Sequence, residues 1–79
     1  MTPYQIELLT AALEGREKEI IEYQTNIDNY RLAINKIADN DLEMIPFRDQ
    51  LQNLLSSSLL EQRKSQIIRD VIAEQRAAQ

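Results

Sequence analysis

The chain has 79 residues, 43% apolar and 28% charged, a net charge of −4, one glycine, two prolines, and neither cysteine nor histidine. This excludes a disordered tail, which is less apolar, and a disulfide framework. It also excludes catalysis by imidazole or thiol and zinc sites of the usual ligand types, and a glycine-rich phosphate loop. The acidic balance speaks against direct nucleic-acid binding and against anionic membranes, and a chain this short suits one domain.

Thr2-Pro3-Tyr4-Gln5 opens a helix. Thr2 suits the N-cap, Pro3 the first helical position, and Gln5 the residue that reaches back in a capping box. A helix opening so near Met1 is expected of a complete small protein. Met1 to Tyr4 carries no basic segment, so no secretory leader is expected. No apolar run approaches the roughly 20 residues of a bilayer span. The chain is therefore read as soluble and cytoplasmic.

From Ile6 to Ile37 an apolar residue recurs every three or four positions. One seam position takes Ile6, Leu13, Ile20, Ile27 and Ile34; the other takes Leu9, Arg16, Tyr23, Tyr30 and Ile37. A repeat of about 3.5 residues holds one narrow stripe toward a partner helix in a left-handed supercoil. The positions between are mostly polar, as a wet face requires. Tyr23 and Tyr30 are expected as core tyrosines with hydroxyls at the edge. Gly15 falls on the outer side, where it costs about 1 kcal/mol relative to alanine.

Asp39-Asn40-Asp41 is poor helix material, and Asn40 suits a left-handed C-cap. Pro46 belongs in the first turn of a second helix. The expected elements are a helix over 3–39, a turn over 40–45 and a helix over 46–77. A short connection makes the two antiparallel. The fold class is all-α, a helical hairpin with coiled-coil-like packing. Ser56-Ser57-Ser58 offers a place for a kink or break in the second helix, although an uninterrupted helix is the simpler expectation.

Phe47, Leu51, Leu54 and Leu55 form the expected inner face of the second helix. Leu60, Ile67, Ile68, Val71 and Ile72 form a wider, displaced band. If the turn centres near residue 43, facing residues have numbers adding to about 86. Arg16, the one charged seam residue, then falls opposite Asp70. A charge in a seam is costly without a counter-charge, so an Arg16–Asp70 pair is expected, within the chain or across a dimer. The displaced band leaves apolar surface for another helix, and two hairpins joined as a dimeric four-helix bundle bury it economically.

Asp39 to Glu43 resembles the opening of a calcium loop, but Met44 stands where a glycine makes the turn and Gln50 where the closing glutamate belongs. No metal, cofactor or small-molecule substrate is expected, and no catalytic constellation assembles. Arg63, Lys64, Arg69 and Arg76 do not share one helix face, as phosphate tracking requires.

The leading expectation is a non-enzymatic protein-interaction module, an adaptor, assembly chaperone or inhibitor, whose partner is another protein or a second copy. It would bind through Leu60, Ile67, Ile68, Val71, Ile72 and the outlying Tyr4. An alternative is an acidic inhibitor, of the kind found in phages and mobile elements, that blocks a nucleic-acid-binding enzyme through Glu14, Glu17, Glu19, Glu22 and Asp28. A structural coiled-coil component of a larger assembly is a third reading.

Overall fold

The structure is a computed structural model and describes residues 1–78. Two antiparallel helices, α1 (Pro3–Asn35) and α2 (Ile45–Ala77), pack along their length and make a rod of 60 × 14 × 13 Å. At 1.5 Å per residue each arm runs about 50 Å. A short 3₁₀ turn, Leu42–Met44, leads into α2.

The capping box forms as the opening sequence requires. The Thr2 hydroxyl accepts from the Gln5 backbone N–H at 3.2 Å, and the Gln5 side-chain oxygen accepts from the Thr2 N–H at 2.8 Å. Pro3 has no N–H to satisfy, so two of the three unpaired donors at the helix start, those of Thr2 and Gln5, are thereby paired.

α1 ends at Asn35, four residues before the expected 39. Its last turn tightens, with the N–H of Lys36 donating to the Ala33 carbonyl and that of Ile37 to the Ile34 carbonyl. Such bonds to the third residue back satisfy carbonyls that an α-turn leaves open. The left-handed cap expected at Asn40 is not used, since no non-glycine residue among those described has positive φ. Bonds from the N–H groups of Asp41 and Met44 to the carbonyls of Ala38 and Asp41 carry the chain round instead. Arg48 ties the connection to α2 through Asp39 at 3.3 Å. α2 starts at Ile45 with Pro46 in its first turn and runs unbroken through Ser56-Ser57-Ser58.

All ten seam positions read from Ile6 to Ile37 are buried or half-buried. Ile27, at the middle of α1, is fully buried. Residues seven apart fall almost on one line of a helix surface. On α2 the two lines turned toward α1 are Leu51, Ser58, Ser65, Ile72 and Arg48, Leu55, Gln62, Arg69, and all eight residues are buried or half-buried. Five of these eight are polar or charged, so α2 turns a largely polar stripe inward. The expected inner face is corrected accordingly. Leu51 and Leu55 point in, whereas Phe47 and Leu54 stay exposed on the flank.

The register nevertheless follows the expectation. Facing numbers that add to about 86 put Gln62 opposite Gln24, and the Gln62 amide donates to the Gln24 side-chain oxygen at 2.9 Å and to the Ile20 carbonyl at 3.2 Å. Helix rotation, rather than register, departs from the expectation. Asp70 lies a step round the helix from the inner line, with its side chain 61% exposed, and pairs with Arg69 at 3.1 Å. Arg16 pairs with Glu19 on its own helix at 3.4 Å. The expected Arg16–Asp70 bridge within the chain is replaced by these two local pairs. Arg69, not Asp70, is the α2 residue turned toward the height of Arg16.

Candidate functional site: an uncovered apolar flank

The polar stripe on the inner side of α2 has a direct consequence. A helix has room for one stripe against one partner. With Ser58, Gln62, Ser65 and Arg69 occupying that stripe, the larger apolar side chains are displaced outward. Leu54, Leu60, Ile67, Ile68 and Val71 each keep between 40% and 57% of their area in water. Among the described residues only Ile27 and Leu51 are buried apolar side chains.

Area gives the size of the mismatch. A compact monomer of 9.2 kDa exposes about 4,900 Å². The hairpin exposes 5887 Å², an excess of about 950 Å² over that scaling. A standard protein interface buries about 800 Å² on each partner.

The predicted partner-binding residues do not all belong to one surface. Leu60 and Ile67 share one line on the back of α2. Val71 lies on the next line round, with Lys64, and Ile68 on the next again, with Phe47, Leu54 and Glu61. Ile72 is the exception, being half-buried on the inner line and committed to α1. Tyr4 is exposed on the outer side of α1, near its start.

The side of the hairpin on which Phe47, Leu54, Glu61 and Ile68 lie follows from their neighbours on α1. Glu61 acts on Tyr23. Gln75, the next member of that line, borders a shallow apolar depression with Leu8, Leu9 and Ala12. Sequence reading missed Phe47 and Leu54 as members of the exposed flank, because their apolar character looked the same whether it faced α1 or water.

The charged centre of this flank surrounds Tyr23. Partial burial raises its phenol pKa above the usual 10.0, and the negative charges of Glu19 and Glu61 push the same way. A hydrogen bond to Glu19 adds to the effect, and Arg16 opposes it. The ring is a half-buried anchor with an edge hydroxyl, as expected of a seam tyrosine. Nearby, Lys64 pairs with Glu61 at 3.0 Å.

The acidic residues proposed as an alternative working surface are split by the hairpin. Glu14 and Asp28 share one line of α1 and Glu17 the neighbouring one. Glu19 lies on the opposite flank, and Glu22 is one line further round on that side. Among the described residues no group of three or more carboxylates is placed to hold a metal ion. No helix of the described residues is long and apolar enough to cross a membrane. The depression lined by Gly15, Lys18, Glu19, Glu22, Tyr23 and Asn26 is open to solvent. No protein family, no curated protein and no solved structure matches the chain.

Proposed function

We propose that the chain is a non-enzymatic protein-interaction module that works through the apolar face of α2. Two hairpins cover each other's flanks as a four-helix bundle, leaving Leu60, Ile67 and Tyr4 outward for a larger protein partner. Adaptor, assembly chaperone and inhibitor all dock through apolar anchors on a helical surface.

The observation that carries this reading is the inversion on α2, with polar side chains in and apolar side chains out. For an isolated hairpin that arrangement is unfavourable on both sides. Each of these apolar side chains, about half in water, forgoes roughly half of the 1.5–3 kcal/mol that full burial brings, and Ser65 is buried with its hydroxyl unpaired. In an assembly the same arrangement supplies two recognition faces instead of one.

The charge-driven alternative, in which the protein blocks the basic channel of a nucleic-acid enzyme, calls for one continuous acidic surface. α1 divides its acids between two flanks, which favours apolar docking.

Sedimentation equilibrium at low and at high salt tests the proposal. An apolar interface predicts a mass near twice the 9.2 kDa of one chain, little changed by salt, because screening acts on exposed charges and not on buried apolar area. A mass of one chain at every concentration contradicts it.

A further inference from the structure

The uncovered flank has an internal pattern that selects one way of docking. Along the line Phe47, Leu54, Glu61, Ile68, apolar residues lie on either side of a carboxylate. On the adjacent line Lys64 stands beside that carboxylate, and Val71 extends the apolar part toward the open end. The flank therefore reads apolar, charged, apolar, with the ion pair near its middle.

We propose that the occupant of this flank is a second copy of the chain, laid antiparallel about a two-fold axis that passes between Glu61 and Lys64. The proposal rests on the self-association reading above and adds its orientation and its contacts. Two observations favour it over a side-by-side parallel dimer.

The first is charge. A parallel two-fold that sets α2 against α2 brings each seam residue against its own copy, so Glu61 meets Glu61 and Lys64 meets Lys64, and like charges placed together at an interface cost several kcal/mol. The antiparallel two-fold sets Glu61 against Lys64 of the second copy, and Lys64 against its Glu61. The same operation brings Leu54 to Val71 and the small Ser57 to Ile68.

The second is shape. Moving outward from the axis, Phe47 of one copy arrives at the height of Ala78 in the other. That is the height, at the open end, of the depression bordered by Leu8, Leu9, Ala12 and Gln75. An exposed aromatic ring and an apolar depression thus coincide, and by symmetry they do so twice, which is what an isologous interface requires. The excess exposed area of about 950 Å² per chain is what one side of a standard interface removes from water.

The chain has no cysteine, so introduced thiols report orientation without background. Leu54→Cys and Val71→Cys chains are purified separately, checked for helicity and for sedimentation mass, mixed, and oxidised. The expected result is a disulfide between one Leu54→Cys chain and one Val71→Cys chain, with little cross-linking in either sample alone. A Ser57→Cys and Ile68→Cys mixture gives a second reading at independent positions. In the cysteine-free background Glu61→Lys weakens dimerisation by at least about tenfold, and adding Lys64→Glu restores it.

A dimer that cross-links Leu54→Cys to itself overturns the orientation while leaving the interaction reading intact. A dimer that cross-links at neither pair, or that is indifferent to Glu61→Lys, overturns the choice of flank. A monomer in every sample overturns the interaction reading as well.

Discussion

Ile27 is the position where the packing account is most exposed to test. It is fully buried, whereas Ile21 on the same helix keeps 66% of its area in water. Truncating either to alanine removes the same three carbons. At Ile27 that loss is about 2.4 kcal/mol of transfer free energy, at about 0.8 kcal/mol per buried carbon. Ile→Ala changes in closed cores range over about 2–5 kcal/mol, the upper part reflecting a cavity that cannot collapse. A pair of helices with open flanks can move together or admit water, so Ile27→Ala is expected near the lower end. At Ile21 the same change removes a β-branched residue from an exposed helical position, so the expected effect is within about 0.5 kcal/mol of zero. Urea unfolding followed by helical circular dichroism, at one fixed chain concentration, measures both. With a slope near 1 kcal/mol per molar, Ile27→Ala should lower the midpoint by about 2 M and Ile21→Ala hardly at all. Equal midpoints for the two variants would refute the placement of the seam.

Three further changes follow from the same geometry. Beyond its chain neighbours and the adjacent backbone of its own helix, no atom lies within 4 Å of where a Cβ on Gly15 would stand, so Gly15→Ala should raise stability by about 1 kcal/mol in the same urea assay. Ser65→Ala removes a buried hydroxyl that has no partner, and should be neutral or stabilising by up to about 1 kcal/mol; a loss beyond that would mean the hydroxyl is bonded. Tyr23 binds its proton more tightly folded than unfolded. The stability it contributes is therefore fully present below pH 10.0, its ordinary pKa, and is lost as the pH rises through the higher folded value. Melting curves from pH 8 to pH 11 should show a shallower alkaline decline for Tyr23→Phe than for the parent chain, and parallel declines would contradict the assignment.

The first helix was legible because its sequence allows one solution. Between Ile6 and Ile37 most positions outside the seam are polar, and the large exceptions Leu8, Ile21 and Leu32 form no second heptad line, so periodicity settles which side turns inward. The Thr2–Gln5 capping box was legible for a similar reason, since its chemistry is local and needs no partner. The end of α1 was not. Asn40 favours a left-handed cap by its own preference, whereas α1 tightens earlier, at Lys36 and Ile37, and Arg48 and Asp39 tie the connection.

The second helix was ambiguous because it has more apolar residues than one stripe can take. Sequence periodicity favours Phe47 and Leu54 as inner residues. The packed pair instead turns Ser58, Gln62 and Ser65 toward α1, with Gln62 bonded across to Gln24 and Ile20. That choice depends on the sum of contacts between the helices and on the turn, neither of which a single-helix pattern contains. The same rotation explains why Arg16 missed Asp70 although the register was right. It also explains why Ile72 left the exposed band while Leu54 joined it.

The central claim is that a hairpin with a polar stripe inside and an apolar flank outside draws its stability partly from a second copy. The concentration dependence of the melting midpoint tests this most directly, because only an associating fold gains stability by mass action. Raising the chain concentration about a hundredfold should stabilise a folded dimer by about 2.7 kcal/mol, and move the midpoint upward by several degrees. A midpoint that stays fixed across that range would contradict the account.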